Sequence, residues 1–163
     1  MAKFEFRTGI YEGEAIDNIP NGKGKVTFEN GAYYEGEFLD GEFHGNGKAY
    51  IKEIGYCDGL WVKTQFVKGK FTVESNLLFD IEVGAVYEGN FDHFILNGKG
   101  KMTRRNGEIL EGEFINGRLN GKGTLTLPDG TVIEGDFVYG VKIHEYTDED
   151  YENAGGDRRF GNR

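Results

Sequence analysis

Large apolar residues alternate with charged residues along several short segments of the chain. In one segment Tyr34, Gly36 and Phe38 occupy alternate positions, and glutamates fill the two positions between them. A period of two is typical of a β-strand with one apolar and one polar face. Three later segments repeat the pattern, beginning at Tyr87, Leu110 and Ile133. The chain is therefore predicted to be all-β, with one apolar and one charged face.

The alternating segments recur at a regular interval. Their central glycines are separated by 23, 23, 30, 23 and 23 residues, at Gly13, Gly36, Gly59, Gly89, Gly112 and Gly135. A Gly-x-Gly motif follows four of them, and turn-forming Asp-Gly or Asn-Gly pairs lie within and between the units. A fixed period of this length indicates a repeat architecture. Each unit is predicted to be a β-hairpin, and successive hairpins to form one antiparallel sheet.

Turn chemistry predicts how the strands pair. A two-residue turn at Asp40-Gly41 would place Tyr34 opposite Gly47, Gly36 opposite Gly45 and Phe38 opposite Phe43. A three-residue connection centred on Gly31 would place Gly24 opposite Phe38 and Lys25 opposite Glu37. Large side chains would then cover Gly24, Gly47, Gly100 and Gly123. On the charged face, acids would oppose lysines, in the pairs Glu12 with Lys23, Glu88 with Lys99 and Glu111 with Lys122.

The repeats predict two regions of the chain. Residues 1–143 form the repeat domain, with five full or degenerate units and a half unit that ends near Gly140. The third unit is degenerate, because Cys57 replaces tyrosine and Gly-x-Gly reduces to Gly69, so a longer loop or a kink is expected within residues 57–86. Residues 144–163 form a charged tail, and its composition is compatible both with disorder and with a docking segment.

The motif Tyr-Glu-Gly-Glu-Phe, followed by Gly-x-Gly and Asp/Asn-Gly at a spacing of 23 residues, resembles the MORN repeat (membrane occupation and recognition nexus). The resemblance extends over about residues 8–143. It implies an elongated, twisted antiparallel sheet of successive hairpins that serves as a noncatalytic scaffold or adaptor for protein contacts. It also implies a place in a cytoskeletal, ciliary or flagellar assembly, as in some members of the family.

Composition narrows the range of functions. The net charge of -9 argues against nucleic acid as a partner. A single cysteine, and three histidines in separate units, argue against a metal site. Carboxylate pairs recur in successive units with predicted lysine partners, which favours a solvated charge ladder over a catalytic pair. About 27 residues outside the repeats are too few for a catalytic domain. We expect a protein that is not an enzyme, binds no cofactor and is cytoplasmic, since its start lacks the apolar core of a signal peptide.

The apolar face is the predicted binding surface. A groove along it would accept a helix or an extended segment of a partner protein, through Tyr34, Phe38, Trp61, Tyr87, Phe91 and Phe114. The structural alternative is that the rings cover glycines and close a thin core, and both roles can hold together. The alternative function is a membrane-surface adaptor that binds phosphoinositides or anionic lipid, through Lys99, Lys101, Arg104, Arg105 and Lys122.

Overall fold

The computed structural model describes residues 1–75 and 82–143. These residues form one antiparallel sheet in which each strand pairs with its neighbours in the sequence. No described residue lies in a helix, so this part of the chain has no helix that could cross a membrane. The strands are β1 (Ala2–Phe6), β2 (Gly9–Ile16), β3 (Ile19–Phe28), β4 (Tyr33–Leu39), β5 (Glu42–Ile51), β6 (Gly55–Val62), β7 (Gln65–Val73), β8 (Val86–Asp92), β9 (Ile95–Thr103), β10 (Ile109–Ile115), β11 (Arg118–Thr126), β12 (Val132–Val138) and β13 (Val141–Lys142).

The predicted all-β sheet of tandem hairpins is confirmed, with additions at both ends. Strand β1 pairs with β2 before the first repeat and was not predicted, and β13 gives the half unit a short second strand. The third unit is also a hairpin, in which Gly59 pairs with Gly69, but its pairing shifts by one residue between Leu60 and Trp61. The departure from the 23-residue spacing lies between β7 and β8, where residues 76–81 are outside the described residues. The predicted tail, residues 144–163, also lies outside them.

The predicted register within hairpins is correct near the turn and wrong beyond it. Phe38 lies opposite Phe43 as predicted, but a β-bulge then shifts the pairing by two residues. Gly36 therefore lies opposite Gly47, and Tyr34 opposite Ala49. The bulge depends on the first glycine of Gly-x-Gly, because Gly45 has a left-handed φ of 60° that glycine adopts at low cost.

The connections between hairpins also differ from the prediction. The Phe28 N–H donates to the Ala32 carbonyl at 2.8 Å, and the Gly31 N–H donates to the Phe28 carbonyl at 3.0 Å. The three-residue loop is thus centred on Asn30, a turn closed by a left-handed glycine. This moves the pairing by two residues, so Gly24 lies opposite Gly36 rather than Phe38, and Lys25 opposite Glu35 rather than Glu37.

Both shifts bring the glycines of successive strands opposite one another. From β2 to β12 they form an unbroken line, which we call the glycine row: Gly13, Gly24, Gly36, Gly47, Gly59, Gly69, Gly89, Gly100, Gly112, Gly123 and Gly135. A Cβ atom on Gly36 would lie 2.5 Å from the Gly47 Cα atom. At Gly36 the neighbouring backbone is therefore too close for any residue with a side chain.

Large side chains cover the row on the apolar face, here called the inner face. A Cβ atom on Gly47 would lie 2.5 Å from ring carbons of Tyr34, and the Tyr11 ring covers Gly24 in the same way. The prediction names the wrong side chains in the fourth and fifth units. The prediction paired Tyr87 with Gly100 and Leu110 with Gly123, whereas Leu96 covers Gly100 and Leu119 covers Gly123.

Candidate functional site

The six aromatic residues predicted to bind a partner are buried inside the molecule. Each has at most 7 % of its surface exposed, and all six belong to one hydrophobic cluster. The prediction assumed that a single sheet leaves its apolar face uncovered. In the structure these rings are buried instead. Direct contact with a partner stays a prediction for Tyr34, Phe38, Trp61, Tyr87, Phe91 and Phe114.

The rings bury one another by crossing the glycine row. Tyr34 and Phe38 are four residues apart, which separates Cα atoms in a straight strand by about 13 Å. Their ring centroids are only 5.1 Å apart, and the Tyr34 ring stacks on Phe43 at 4.0 Å. The Tyr34 hydroxyl donates to the carbonyl of Glu37 at 2.9 Å. Side chains on the two sides of the row therefore meet above it and form the core.

This packing predicts a loss of stability at alkaline pH. Burial, reinforced by the negative charge of Glu37, raises the pKa of Tyr34 to about 12, above the value near 10 of an unfolded chain. The stabilisation that depends on the neutral phenol is complete below pH 10 and is lost as pH rises from 10 towards 12. Urea unfolding over this range should show a steeper decline for the wild type than for Tyr34→Phe. Equal declines would contradict the burial of this hydroxyl.

The opposite face, here called the outer face, carries a line of charges of alternating sign. Successive opposed residues across the strands form this charge row: Lys3, Glu12, Lys25, Glu35, Lys48, Asp58, Lys70, Glu88, Lys101 and Glu111. Ion pairs join Lys3 to Glu12, Lys25 to Glu35 at 3.3 Å, Lys48 to Asp58 at 3.5 Å and Lys70 to Glu88 at 3.4 Å. The charge ladder is thus present.

The three predicted acid–lysine pairs have the wrong partners. Glu12 lies opposite Lys25, Glu88 opposite Lys101, and Glu111 opposite Thr124. The cause is the same β-bulge. Because the shift is two residues, every side chain keeps its predicted face and only its partner changes.

A groove follows the glycine row on the outer face from β2 to β8. Its floor is glycine backbone, one wall is the charge row, and the other wall includes Lys23, Glu37, Asn46 and Lys68. Two recesses mark this outer groove. One has a volume of about 530 Å³ between β2 and β5, and the other about 400 Å³ between β6 and β8. The outer face thus offers a furrow lined by charges of both signs.

Two glutamates of the second wall hold the bulges in place. The Glu14 carboxylate accepts a hydrogen bond from the Lys23 N–H, and the Glu37 carboxylate accepts one from the Asn46 N–H, both at 3.2 Å. These bonds satisfy backbone donors that the bulge removes from the strand ladder. Wall and floor are therefore built from the same repeated motif.

A cluster of three tyrosines beside the charge row was not predicted. The tyrosine cluster consists of Tyr33, Tyr50 and Tyr56. The ring centroid of Tyr50 lies 6.4 Å from that of Tyr33 and 4.7 Å from that of Tyr56. Tyr56 is 50 % exposed, and the Lys25 ammonium lies 5.1 Å from the Tyr33 ring centroid. The sequence indicates the face on which the cluster lies, because Tyr33 is two residues from Glu35 in the same strand and therefore shares its face. The cluster adds an exposed aromatic area to the outer face.

The five basic residues of the alternative lipid site lie beside acids. Lys101 is opposed by Glu88 and Glu111, Lys99 by Glu113, and Lys122 by Asp136. Arg104 forms ion pairs with Glu108 at 2.8 Å and with Glu82 at 3.5 Å, and Glu82 also accepts a hydrogen bond from the Arg105 N–H. The five residues therefore do not form a patch of uncompensated positive charge.

Residue types with catalytic or metal-binding potential are dispersed. Among the described residues no group of three or more His, Cys, Asp or Glu side chains could hold a metal ion. Burial raises the pKa of the Cys57 thiol to about 12, which keeps it protonated at neutral pH. Cys57 lies opposite Ala49 and Phe71 and packs within the core.

A charge reversal at Glu111, the last residue of the charge row, should have a small effect on stability. Glu111→Lys should lower the free energy of unfolding by roughly 0.2 to 1 kcal/mol, because Glu111 is exposed and its cross-strand partners are Lys101 and uncharged Thr124. The loss should shrink in 1 M salt, where charges are screened. Urea unfolding at low and high salt measures both values. A loss above about 2 kcal/mol would exclude a solvated ladder.

Comparison with known proteins identifies the repeat. The family model of the MORN repeat matches residues 11–33, 34–50, 87–109 and 111–132. A comparison with curated proteins gives no match. Residues 55–73 lie outside the matched segments, yet β6 and β7 form the same hairpin and contribute Gly59 and Gly69 to the glycine row. The matches cover more than half of the chain, which therefore belongs to the MORN-repeat family, whose repeats generally interact with proteins or membranes.

Proposed function

We propose that this protein is a noncatalytic scaffold or adaptor that binds a segment of a partner protein along the outer groove. The proposal rests on one observation, the difference in burial between the two faces of the sheet. The rings of the inner face are buried in the core, whereas the outer face presents a groove with charged walls and the exposed tyrosine cluster. The surface available to a partner is the outer one.

The dimensions of the groove suit an elongated partner segment. The two recesses lie along seven strands, β2 to β8, which extend for about 29 Å at a spacing of about 4.8 Å. This length matches an extended segment of about 9 residues or a helix of about 19 residues. A partner would lie across the strands, with its side chains between the two walls.

The two walls favour selection by charge pattern. Lysines and acids alternate along the charge row, so a partner gains most when its own charges alternate in register with them. Such complementarity contributes mainly to specificity and to the rate of association. Tyr56, with its half-exposed ring, would supply the apolar contact that charged walls lack, as tyrosine commonly does at interfaces.

A protein partner is favoured over a lipid partner by the arrangement of the lysines. Each lysine of the lipid alternative has an acid opposite it, and an anionic headgroup would have to displace that acid. Nucleic acid is disfavoured by the net charge of -9. A role in a cytoskeletal, ciliary or flagellar assembly, and a cytoplasmic location, stay expectations drawn from the sequence and the family.

A matched pair of charge reversals tests the proposal. A partner isolated with the wild-type protein is titrated against Glu35→Lys, which alters the groove wall, and against Glu29→Lys, which makes the same change in an exposed loop. Tyr56→Ala provides a second variant of the outer face, in the tyrosine cluster. We expect at least about tenfold weaker binding for Glu35→Lys and Tyr56→Ala and unchanged binding for Glu29→Lys, with all proteins folded.

Two results would refute the proposal. One is equal binding by Glu35→Lys, Tyr56→Ala and the wild type. The other is that the partner binds to anionic vesicles that carry the protein but does not bind to the protein without vesicles. This result would support the lipid alternative.

A further inference from the structure

Within the described part of the chain, the sheet has two edges, at β1 and at β12, whose backbone groups are not all paired. On β12, the short strand β13 pairs with Phe137 and Val138, and the Ile143 N–H donates to the Asp136 carbonyl at 2.8 Å. Among the described residues, Val132 to Gly135 have no strand on this side, and neither has β1 on the side away from β2. Unpaired edges are natural sites for strand addition.

The backbone of β12 directs hydrogen-bonding groups towards its open side. The Asp136 carbonyl faces β13, because it accepts from Ile143. Backbone groups alternate in direction along a strand, so those of Glu134, two residues earlier, face the same way. Glu134 therefore presents an N–H and a carbonyl group to an incoming strand.

The backbone of β1 does the same at Lys3. The Lys23 N–H points from β3 towards β2, where it meets the Glu14 carboxylate. Lys25, two residues on, therefore also points towards β2 and forms the hydrogen-bonded pair with Glu12. The N–H and carbonyl groups of Glu12 therefore face β3. Glu12 and Lys3 then form a pair without mutual backbone hydrogen bonds, so the backbone groups of Lys3 face the open edge.

The rows that cross the sheet end in complementary residues at these two edges. The charge row begins at Lys3 in β1 and continues past Glu111 through Thr124 to Glu134 in β12. The glycine row is extended by Ala2 at one edge and ends at Gly135 at the other. Beside them, Phe4 and Ile133 end the adjoining apolar row.

We propose that β1 of one copy of this chain adds to β12 of a second copy, with Lys3 opposite Glu134. The same register places Ala2 opposite Gly135 and Phe4 opposite Ile133. Strand directions alternate along the sheet, so β1 meets β12 antiparallel and the second copy continues the first in the same orientation. Charge, size and apolar character all continue across the junction, which identifies the occupant as a second copy.

The geometry predicts open, head-to-tail association. Each copy has one β1 edge and one β12 edge, so the contact does not close into a symmetric dimer. Only four residues of β12, Val132 to Gly135, are available, and such a small contact forms a weak assembly. The average mass in solution should therefore rise gradually with concentration, without a plateau at two copies.

Sedimentation equilibrium of the full chain over a wide range of concentration tests the proposal. Glu134→Pro removes the outward N–H but no bond to β11, since proline is accepted in an edge strand when its nitrogen faces solvent. We expect this variant to stay monomeric where the wild type associates. Glu134→Lys should raise the dissociation constant by about two- to fivefold or more, and Glu29→Lys, with the same charge change in a loop, should not.

Two outcomes would overturn the proposal. If the wild-type chain sediments as a monomer at every concentration, the two edges do not associate. Coverage of an edge by residues 144–163 would also give this result. Association of Glu134→Pro equal to that of the wild type would place the contact elsewhere. Circular dichroism of the variants verifies that the sheet is intact.

Discussion

Replacing Gly36 with alanine should lower the free energy of unfolding by about 3 kcal/mol, the upper range for overpacking. The new Cβ atom would lie 2.5 Å from the Gly47 Cα atom and 2.5 Å from the Asn46 carbonyl oxygen. Both are backbone atoms of the neighbouring strand, so no side chain can turn aside to make room. Relief would require β4 and β5 to separate along the glycine row.

A glycine outside the row provides the control. Gly31 has a left-handed φ of 88° and open space around its Cβ position. Gly31→Asn should change stability by less than about 0.5 kcal/mol, because asparagine accepts this conformation, whereas Gly36→Asn should be as damaging as Gly36→Ala. Urea unfolding measures all three. Equal effects at positions 31 and 36 would mean that the row has no special steric role.

Replacing Trp61 with alanine should lower the free energy of unfolding by about 3 to 5 kcal/mol. Trp61 is 1 % exposed, and its ring centroid lies 5.2 Å from that of Phe66 and 5.4 Å from that of Tyr34. Trp61→Phe keeps an apolar ring but loses the hydrogen bond that the indole N–H donates to the Gly47 carbonyl at 3.1 Å. The loss for this variant should be nearer 1 kcal/mol.

Trp61 also separates the two roles of the inner face. A core residue should affect partner binding only through the fraction of folded protein, so the affinity of folded Trp61→Phe should equal that of the wild type. A tryptophan that contacts the partner should instead lose about 2 kcal/mol or more of binding energy on truncation. Affinity measurements at a temperature where both proteins are fully folded distinguish these results. A large loss of affinity would return the binding site to the inner face.

The fold could be predicted because its signals are local and repeated. Alternation at Tyr34, Gly36 and Phe38 assigns strand and face without knowledge of tertiary structure, and the 23-residue spacing multiplies the evidence. The third hairpin was predicted to be irregular, because Cys57 replaces tyrosine. The sheet accepts this change, since Cys57 is small and lies beside Phe71, which fills the neighbouring space.

The register could not be predicted from turns alone. In the predicted register both glycines of Gly-x-Gly are ordinary strand residues. The first of them has a left-handed backbone in the first, second, fourth and fifth units, at Gly22, Gly45, Gly98 and Gly121, and belongs to the bulge. Only the second joins the glycine row. An extra pair of residues in one strand leaves the alternation of faces intact, so the sequence pattern carries no sign of it.

The burial of the predicted binding residues could not be predicted from the sequence for a related reason. Sequence alone shows which side chains share a face, but not that rings two strands apart, such as Tyr11 and Phe38, meet at 5.0 Å over a row without side chains. The inner face therefore seemed to need an external partner. On the outer face the charges were predicted, whereas the groove depends on the alignment of glycines across strands and follows only from the correct register.

Nuclear Overhauser contacts between glycine α-protons test the glycine row most directly. In an antiparallel pair without mutual hydrogen bonds the two Cα atoms are about 4.5 Å apart and their α-protons face each other. The Lys25–Glu12 pair is hydrogen-bonded, so Gly13 with Gly24 is such a pair, and its repeat equivalent is Gly36 with Gly47. The structure predicts a strong contact between the α-protons of Gly36 and Gly47. A strong contact between Gly36 and Gly45, with none to Gly47, would restore the unbulged hairpin and contradict the row.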